Sequence, residues 1–178
     1  MLRKANTPIP KPILPNNYSV VFFSNGEEKN WAEIETSVGE FESESKALAY
    51  FQTEYLPYIK ELERRLFFLQ TREGENIATV TIWWNYTGER RDVSLHWVGV
   101  KPEYQGLGLG KALVFESMER MLRIEGDRDV YLHTQTWSYK AIGIYLQAGF
   151  EFIKEGSFSG YENDYEKAIP ILKEKMKL

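Results

Sequence analysis

Residues 98–111 have the sequence Val-Gly-Val-Lys-Pro-Glu-Tyr-Gln-Gly-Leu-Gly-Leu-Gly-Lys, and no other part of the chain constrains its architecture as tightly. The run 93–100 before it is rich in β-branched and aromatic residues, and an apolar stripe with helical spacing follows at 114–122. Alternate glycines let backbone N–H groups approach a ligand closely, and a helix N-terminus favours phosphate. The segment therefore predicts an anion-binding loop between a strand and a helix.

Two well-known phosphate-binding loops do not match these residues. A Walker A loop requires glycine at the position of Gln105 and serine or threonine at that of Ala112. A dinucleotide-binding fingerprint that starts at the first two glycines requires a third at the position of Lys111. A tight strand-to-helix turn without a ligand remains the alternative to an anion site.

The flanking patterns predict an α+β fold. Segment 93–135 has the order of a βαβ unit with predicted strands at 93–100 and 130–135. These two strands are expected to be parallel neighbours in a mixed, mostly antiparallel central sheet flanked by helices. Residues 1–16 hold four prolines and predict an extended N-terminal arm, and 17–178 predict a single domain. The other predicted elements are strand 18–23, helix 31–38 with a capping box at Asn30 and Glu33, a helix from Ser43 that Pro57 interrupts, strands 66–70 and 77–84, helix 138–147, strand 150–154 and helix 161–176.

Composition excludes several classes of function. The chain has 178 residues, 43% apolar and 27% charged, with a net charge of −4, which argues against nucleic-acid binding. It contains no run of 18 apolar residues, so no membrane association is expected, and prolines interrupt any secretory signal, so a cytoplasmic location is expected. The absence of cysteine and the presence of only two histidines predict no metal site and no disulfide. A homodimer is left open.

Two further stretches join the glycine loop in resembling one known family. Gln105–Gly110 resembles the Gln/Arg-x-x-Gly-x-Gly/Ala motif of the GNAT superfamily, and 141–150 resembles its later Ala-x-x-x-Tyr-x-x-x-Gly-Phe segment. The strand 95–100 resembles the strand before the family's loop. The resemblance implies a GNAT-like fold and an N-acetyltransferase that uses acetyl-CoA as cosubstrate. The chain departs from the family at Ser138, where asparagine is frequent, and after Ser157, where no seventh strand is recognisable.

The resemblance also implies which residues hold the cofactor. Backbone amides of the loop would bind its pyrophosphate, and the N–H of Val98 would stabilise the thioester oxygen as charge develops. Tyr145 matches the family tyrosine that assists departure of the thiolate; a core aromatic is the alternative. The implied cofactor-binding residues are Val98, Gly99, Val100, Gln105, Gly106, Leu107, Gly108, Leu109, Gly110, Lys111 and Ser138.

Acetyl transfer to an amine requires a neutral nitrogen, so a base is useful near neutral pH. His96 is the leading catalytic candidate because it lies on the strand before the loop and has an ordinary pKa of about 6.5. The same strand of arylalkylamine N-acetyltransferase carries a catalytic histidine at the matching position. A structural histidine is the alternative, and His133 on the next strand is a weaker rival. A glutamate of the first helices would replace His96 if it is not the base.

The family resemblance places the acceptor near the first helices. Glu33 and Glu35 could then favour a cationic amine, although a solvated acidic helix face would explain them equally well. Trp137 is a weaker candidate for an acceptor contact. The predicted partner is a small-molecule or peptide amine. A noncatalytic acyl-CoA-binding module and a protein or peptide acetyltransferase remain the alternative functions.

Overall fold

The computed structural model describes residues 1–177, which form six β-strands and six α-helices. The helix that follows the glycine loop begins at Leu109 and ends before Gly126, as its apolar stripe predicts. The elements are β1 (Leu2–Arg3), β2 (Tyr18–Phe22), α1 (Glu28–Ser37), α2 (Glu44–Glu54), α3 (Ile59–Arg65), β3 (Leu66–Thr71), β4 (Asn76–Thr87), β5 (Arg90–Val100), α4 (Leu109–Glu125), β6 (Val130–Tyr131), α5 (Tyr139–Gln147) and α6 (Tyr165–Met176).

The six strands form one mixed sheet in the order β1-β6-β5-β4-β3-β2. β5 and β6 are parallel, with Val93 opposite Val130 and Ser94 opposite Tyr131. β2 with β3, β3 with β4, and β1 with β6 pair in antiparallel fashion. The predicted α+β fold, with a mostly antiparallel sheet and a parallel pair around the glycine loop, is confirmed.

Local signals account for the helices of the N-terminal half, with one exception. The Ser43 side chain accepts a hydrogen bond from the backbone N–H of Lys46 and caps α2, and Pro57 lies in a 3₁₀ turn that separates α2 from α3. The predicted capping box at Asn30 is wrong, because α1 already begins at Glu28. The chain turns into the helix before Asn30, at 24–27, where the N–H of Ser24 donates to a carboxylate oxygen of Glu27 at 2.7 Å.

The strands near both ends of the chain differ from prediction. The expected strand 130–135 is only two residues long, and in place of strand 150–154 there is a single bridge between Leu2 and Glu151. Leu2–Arg3, within the expected extended arm, pairs with β6, and the buried Arg3 donates to the carbonyl of Ala148 at 3.2 Å. Residues distant in sequence thus supply this edge of the sheet, which local patterns do not reveal. The division into 1–16 and 17–178 stays a prediction.

Contacts divide the chain into two compact units, each with buried apolar residues. The loop unit contains Pro12–Ile82 and His96–Leu113 and includes the glycine loop. The terminal unit contains Met1–Lys11, Trp83–Leu95 and the described chain from Val114 onward. No helix within residues 1–177 is long and apolar enough to cross a membrane.

Candidate active site

The last residues of β5 carry a distortion in the loop unit. Trp97 has φ of +51°, a left-handed backbone that is strained for a bulky residue by about 1–3 kcal/mol. The regular alternation of side chains along a strand is therefore interrupted at this residue. Val98 and Val100 are half-buried and Gly99 is buried, so the three predicted cofactor residues of β5 follow directly after the distortion.

His96 lies just before this distortion, and its side chain contacts Tyr55, the residue that follows α2. Its Nδ1 is 3.0 Å from the hydroxyl of Tyr55, which is almost completely buried. Burial lowers the pKa of His96 from 6.5 to about 4, because the charged imidazolium loses its hydration. The ring is therefore neutral at pH 7 and has one nitrogen already engaged. Tyr55 was not predicted as a site residue, and no local sequence pattern connects it to His96.

Glu35 lies against the same strand. Its side chain is fully buried, and within residues 1–177 neither carboxyl oxygen has a hydrogen-bond partner. Burial, and secondarily the charge of Glu40, raises the pKa of Glu35 well above its usual range. A Cβ atom placed on Gly99 would be 2.9 Å from Oε1 of Glu35, so glycine is needed here to leave room for the carboxyl group. An unpartnered buried carboxyl group is rare and calls for a functional explanation.

Glu33, the other glutamate predicted for the acceptor, has a different environment. It pairs with the amine of Lys101 at 2.5 Å, and Glu75 pairs with the same amine at 2.9 Å. Burial disfavours the charged Lys101, but the hydrogen bonds that its ammonium group donates to both glutamates outweigh this effect and raise the pKa of Lys101. Tyr104 also donates to Glu75, at 2.9 Å. This network anchors the end of β5 where the glycine loop begins. Glu33 therefore has a structural role that does not require contact with an acceptor amine.

The glycine loop has the backbone that its sequence predicts. Gly106 and Gly108 have φ of +82° and +80°, which other residues rarely adopt, and nothing lies within 4 Å of where their Cβ atoms would be. The Gln105 amide donates to the carbonyl of Val100 at 3.0 Å and closes the loop onto β5. Leu109 is buried and anchors the start of α4.

The exposure of the remaining loop residues fits contact with a ligand. Leu107 and Lys111 are exposed and Gly110 is half-buried within the first turn of α4. The first backbone N–H groups of a helix lack partners within the helix, and they carry its positive dipole end. The surface of this loop therefore offers donors and a favourable field to an anionic group such as a pyrophosphate.

Two predicted site residues lie in the terminal unit, on or beside α5. Tyr145 is 7% exposed and contacts Phe150 edge-to-face at 6.0 Å, and its carbonyl accepts from the N–H of Phe150. Ser138 directly precedes α5, but its side chain makes no capping hydrogen bond. Tyr145 is thus held firmly by the turn that follows its helix.

The terminal unit also contains an open cavity of about 440 Å³ beside α6. Trp137, which is 68% exposed, and His133 both line it. The His133 ring stacks on Tyr161 with centroids 3.9 Å apart, and burial lowers its pKa. Within residues 1–177 no group of three or more acidic, histidine or cysteine side chains is arranged to hold a metal ion.

Comparisons with known proteins assign this architecture to a family. The model of the acetyltransferase (GNAT) family matches residues 29–150. The chain is 28% identical to a mycothiol acetyltransferase of Streptomyces bingchenggensis, over 82% of this chain but 47% of that protein. It is 29% identical to an N-alpha-acetyltransferase of Sulfurisphaera tokodaii, over 66% of this chain and 75% of that protein.

Solved structures agree on the fold. An acetyltransferase of the GNAT family from Staphylococcus aureus superposes with a TM-score of 0.64 at 14% identity, covering 82% of this chain and 92% of that one. The chain spans about half the length of the mycothiol acetyltransferase that it matches. With the family model covering the first helices, the glycine loop and α5, the chain belongs to the GNAT family of acetyltransferases.

Proposed function

We propose that this acyltransferase moves an acetyl group from acetyl-CoA to the primary amine of a small molecule or peptide by direct attack. The observation that carries the proposal is the loop at 105–110, where two glycines with positive φ present the start of α4. Acetyl-CoA would supply the acetyl group as an activated thioester. The backbone amides of the loop and of the first turn of α4 would hold its pyrophosphate.

The residues of β5 suit the other end of the cofactor. Val98, Gly99 and Val100 lead directly into the loop, and the N–H of Val98 is proposed to donate to the thioester oxygen. In the terminal unit, Tyr145 is proposed to donate a proton or hydrogen bond as the thiolate departs, because a thiol of pKa about 8.5 leaves more easily when assisted. Ser138 is proposed as a polar contact to the cofactor.

The proton of the acceptor ammonium requires a base. A general base works best when its pKa is close to the working pH, and burial moves the two candidates in opposite directions. It lowers the pKa of His96 to about 4 and raises that of Glu35. This contrast supports Glu35 of α1 as the proton acceptor and His96 of β5 as a neutral hydrogen-bonding group.

Two alternatives bear on this proposal: a protein or peptide acetyltransferase, which would narrow the acceptor to a peptide amine, and a noncatalytic binding module. The name of the Sulfurisphaera relative, an N-alpha-acetyltransferase, supports a peptide amine as acceptor. A noncatalytic acyl-CoA-binding module would use the same glycine loop without acceptor chemistry. Release of free thiol from acetyl-CoA in the presence of a panel of amines separates the enzyme from the binding module.

The cofactor site is tested by calorimetry with acetyl-CoA on a Gly108→Glu variant. The added carboxylate and the strained backbone are expected to abolish binding while the chain remains folded by circular dichroism. Gly88→Glu is the matched control, because Gly88 also has positive φ, +61°, in an open turn but lies between β4 and β5. Equal affinities of the two variants would show that the loop does not hold the cofactor.

A further inference from the structure

Three aromatic side chains of the loop unit form a partly exposed face that the proposed cofactor loop does not use. Phe41, Tyr50 and Trp97 contact one another with ring centroids 5.0–5.5 Å apart. All three are half-buried, whereas Trp31, which contacts each of them, is fully buried. The outer rings therefore present apolar surface to solvent over a closed core.

This face adjoins the strand proposed to carry the chemistry. Trp97 is the strained residue of β5, between His96 and the predicted cofactor residues Val98 and Gly99. Strained backbone persists where the surrounding packing enforces it, and such residues cluster at ligand sites. An apolar group bound on this face would lie beside the residues proposed to hold the thioester.

The same side of α1 carries two buried polar groups that have no hydrogen-bond partner within residues 1–177. The indole N–H of Trp31 and the carboxyl group of Glu35 are separated by one helical turn and are both fully buried. Glu35 approaches Gly99, two residues after Trp97, and Glu40 follows on the same segment. The acidic groups near the aromatic face therefore favour a cation over an anion.

We propose that this aromatic face selects the acceptor, so that the substrate is a cationic primary amine with an aromatic or branched apolar group within a few carbons of the nitrogen. The inference rests on the proposed N-acetyltransferase function. The acidic groups Glu35 and Glu40 beside the face favour the positive charge of the ammonium group, and the rings of Phe41, Tyr50 and Trp97 cover the apolar group. Both arylalkylamines and peptides with an apolar first residue have this chemistry.

The acidic surroundings also define which amines are rejected. An amine that carries a phosphate would bring negative charge toward Glu35 and Glu40, and a polyhydroxylated amine would lose hydration on the rings without gaining hydrogen bonds. Among residues 1–177, the ionisable groups that interact electrostatically with Glu35 are Glu40, after α1, and Tyr55, after α2. Neither carries a positive charge, so these surroundings favour a cationic acceptor over an anionic one.

The test measures kcat/KM with saturating acetyl-CoA for five amines. They are phenethylamine, ethylamine, glucosamine, glucosamine 6-phosphate and the dipeptide amide Phe-Ala. We expect kcat/KM for phenethylamine or Phe-Ala amide to exceed that for ethylamine and both sugars by at least tenfold. The better of the two shows whether the acceptor is an arylalkylamine or a peptide. If a sugar is the preferred acceptor, the inference is overturned while the proposed function stands. If acetyl-CoA binds but no amine is acetylated, the transferase function itself fails.

Substitution of the face provides the second readout. Phe41→Ala and Tyr50→Ala are each expected to lower the ratio of kcat/KM between phenethylamine and ethylamine by roughly three- to tenfold, the value of one aromatic contact. Tyr50→Phe keeps the ring and should keep the ratio. Tyr86→Ala is the control, because Tyr86 is an exposed aromatic on β4 outside the face. An unchanged ratio in both alanine variants, with folding intact, contradicts the proposal.

Discussion

Replacing Glu35 by glutamine should stabilise the protein by an amount that grows with pH. Burial raises the pKa of Glu35 in the folded chain, whereas the unfolded chain has a pKa near 4.5. Between these values the folded chain retains a proton that the unfolded chain releases. The folded state then binds more protons, so the free energy of unfolding falls as pH rises, until the pH passes the folded pKa.

The size of this effect follows from the single proton that Glu35 retains in the folded chain and releases on unfolding. Each pH unit within the window costs the wild type up to about 1.4 kcal/mol, whereas the glutamine side chain does not titrate. For each pH unit between the unfolded and the raised folded pKa, the advantage of Glu35→Gln should therefore grow by up to that amount. His96 contributes with opposite sign, because its pKa is lowered to about 4 and its stabilisation is lost as pH falls. It is present in both proteins and cancels in the difference.

The measurement is urea unfolding followed by tryptophan fluorescence at half-unit steps from pH 5 to 7.5. Glu42→Gln is the control, because Glu42 is an exposed carboxylate paired with Lys46, and its loss should change stability by less than about 0.5 kcal/mol at every pH. A difference between wild type and Glu35→Gln that stays constant across this range would refute the argument, since it would mean that Glu35 is ionised in the folded chain.

Three further predictions concern Gly99 of β5, Tyr145 as the proposed proton donor, and His96. Gly99→Ala should destabilise the chain by about 1–3 kcal/mol, because its Cβ would lie 2.9 Å from Glu35; an unchanged thermal midpoint would contradict this. Tyr145→Phe should keep acetyl-CoA affinity by calorimetry but lower kcat about 10²-fold, and an unchanged kcat would assign Tyr145 to packing. The pH profile of kcat/KM should show no inflection near 6.5 from His96, because burial lowers its pKa to about 4; an inflection there that His96→Asn removes would show that the ring titrates normally.

Local patterns were enough to predict most elements of the fold. The spacing of apolar residues along α4 and the proline between α2 and α3 act within a few residues of the chain, so they can be recognised without knowing what packs against them. The positive φ of Gly106 and Gly108 likewise follows from a tight turn that only glycine adopts readily. The family motif then connected this loop with an acetyl-CoA site.

The tertiary structure alone decided the character of the candidate site. The sequence proposed His96 as a base with an ordinary pKa and Glu35 as one of several acidic residues, but burial moves both pKa values, and burial depends on what other elements cover. Tyr55 reaches His96 from 41 positions away, and the strain at Trp97 has no local signal because tryptophan does not favour positive φ. The motif thus predicted where the chemistry lies, and long-range packing determined the protonation of the buried groups that are proposed to perform it.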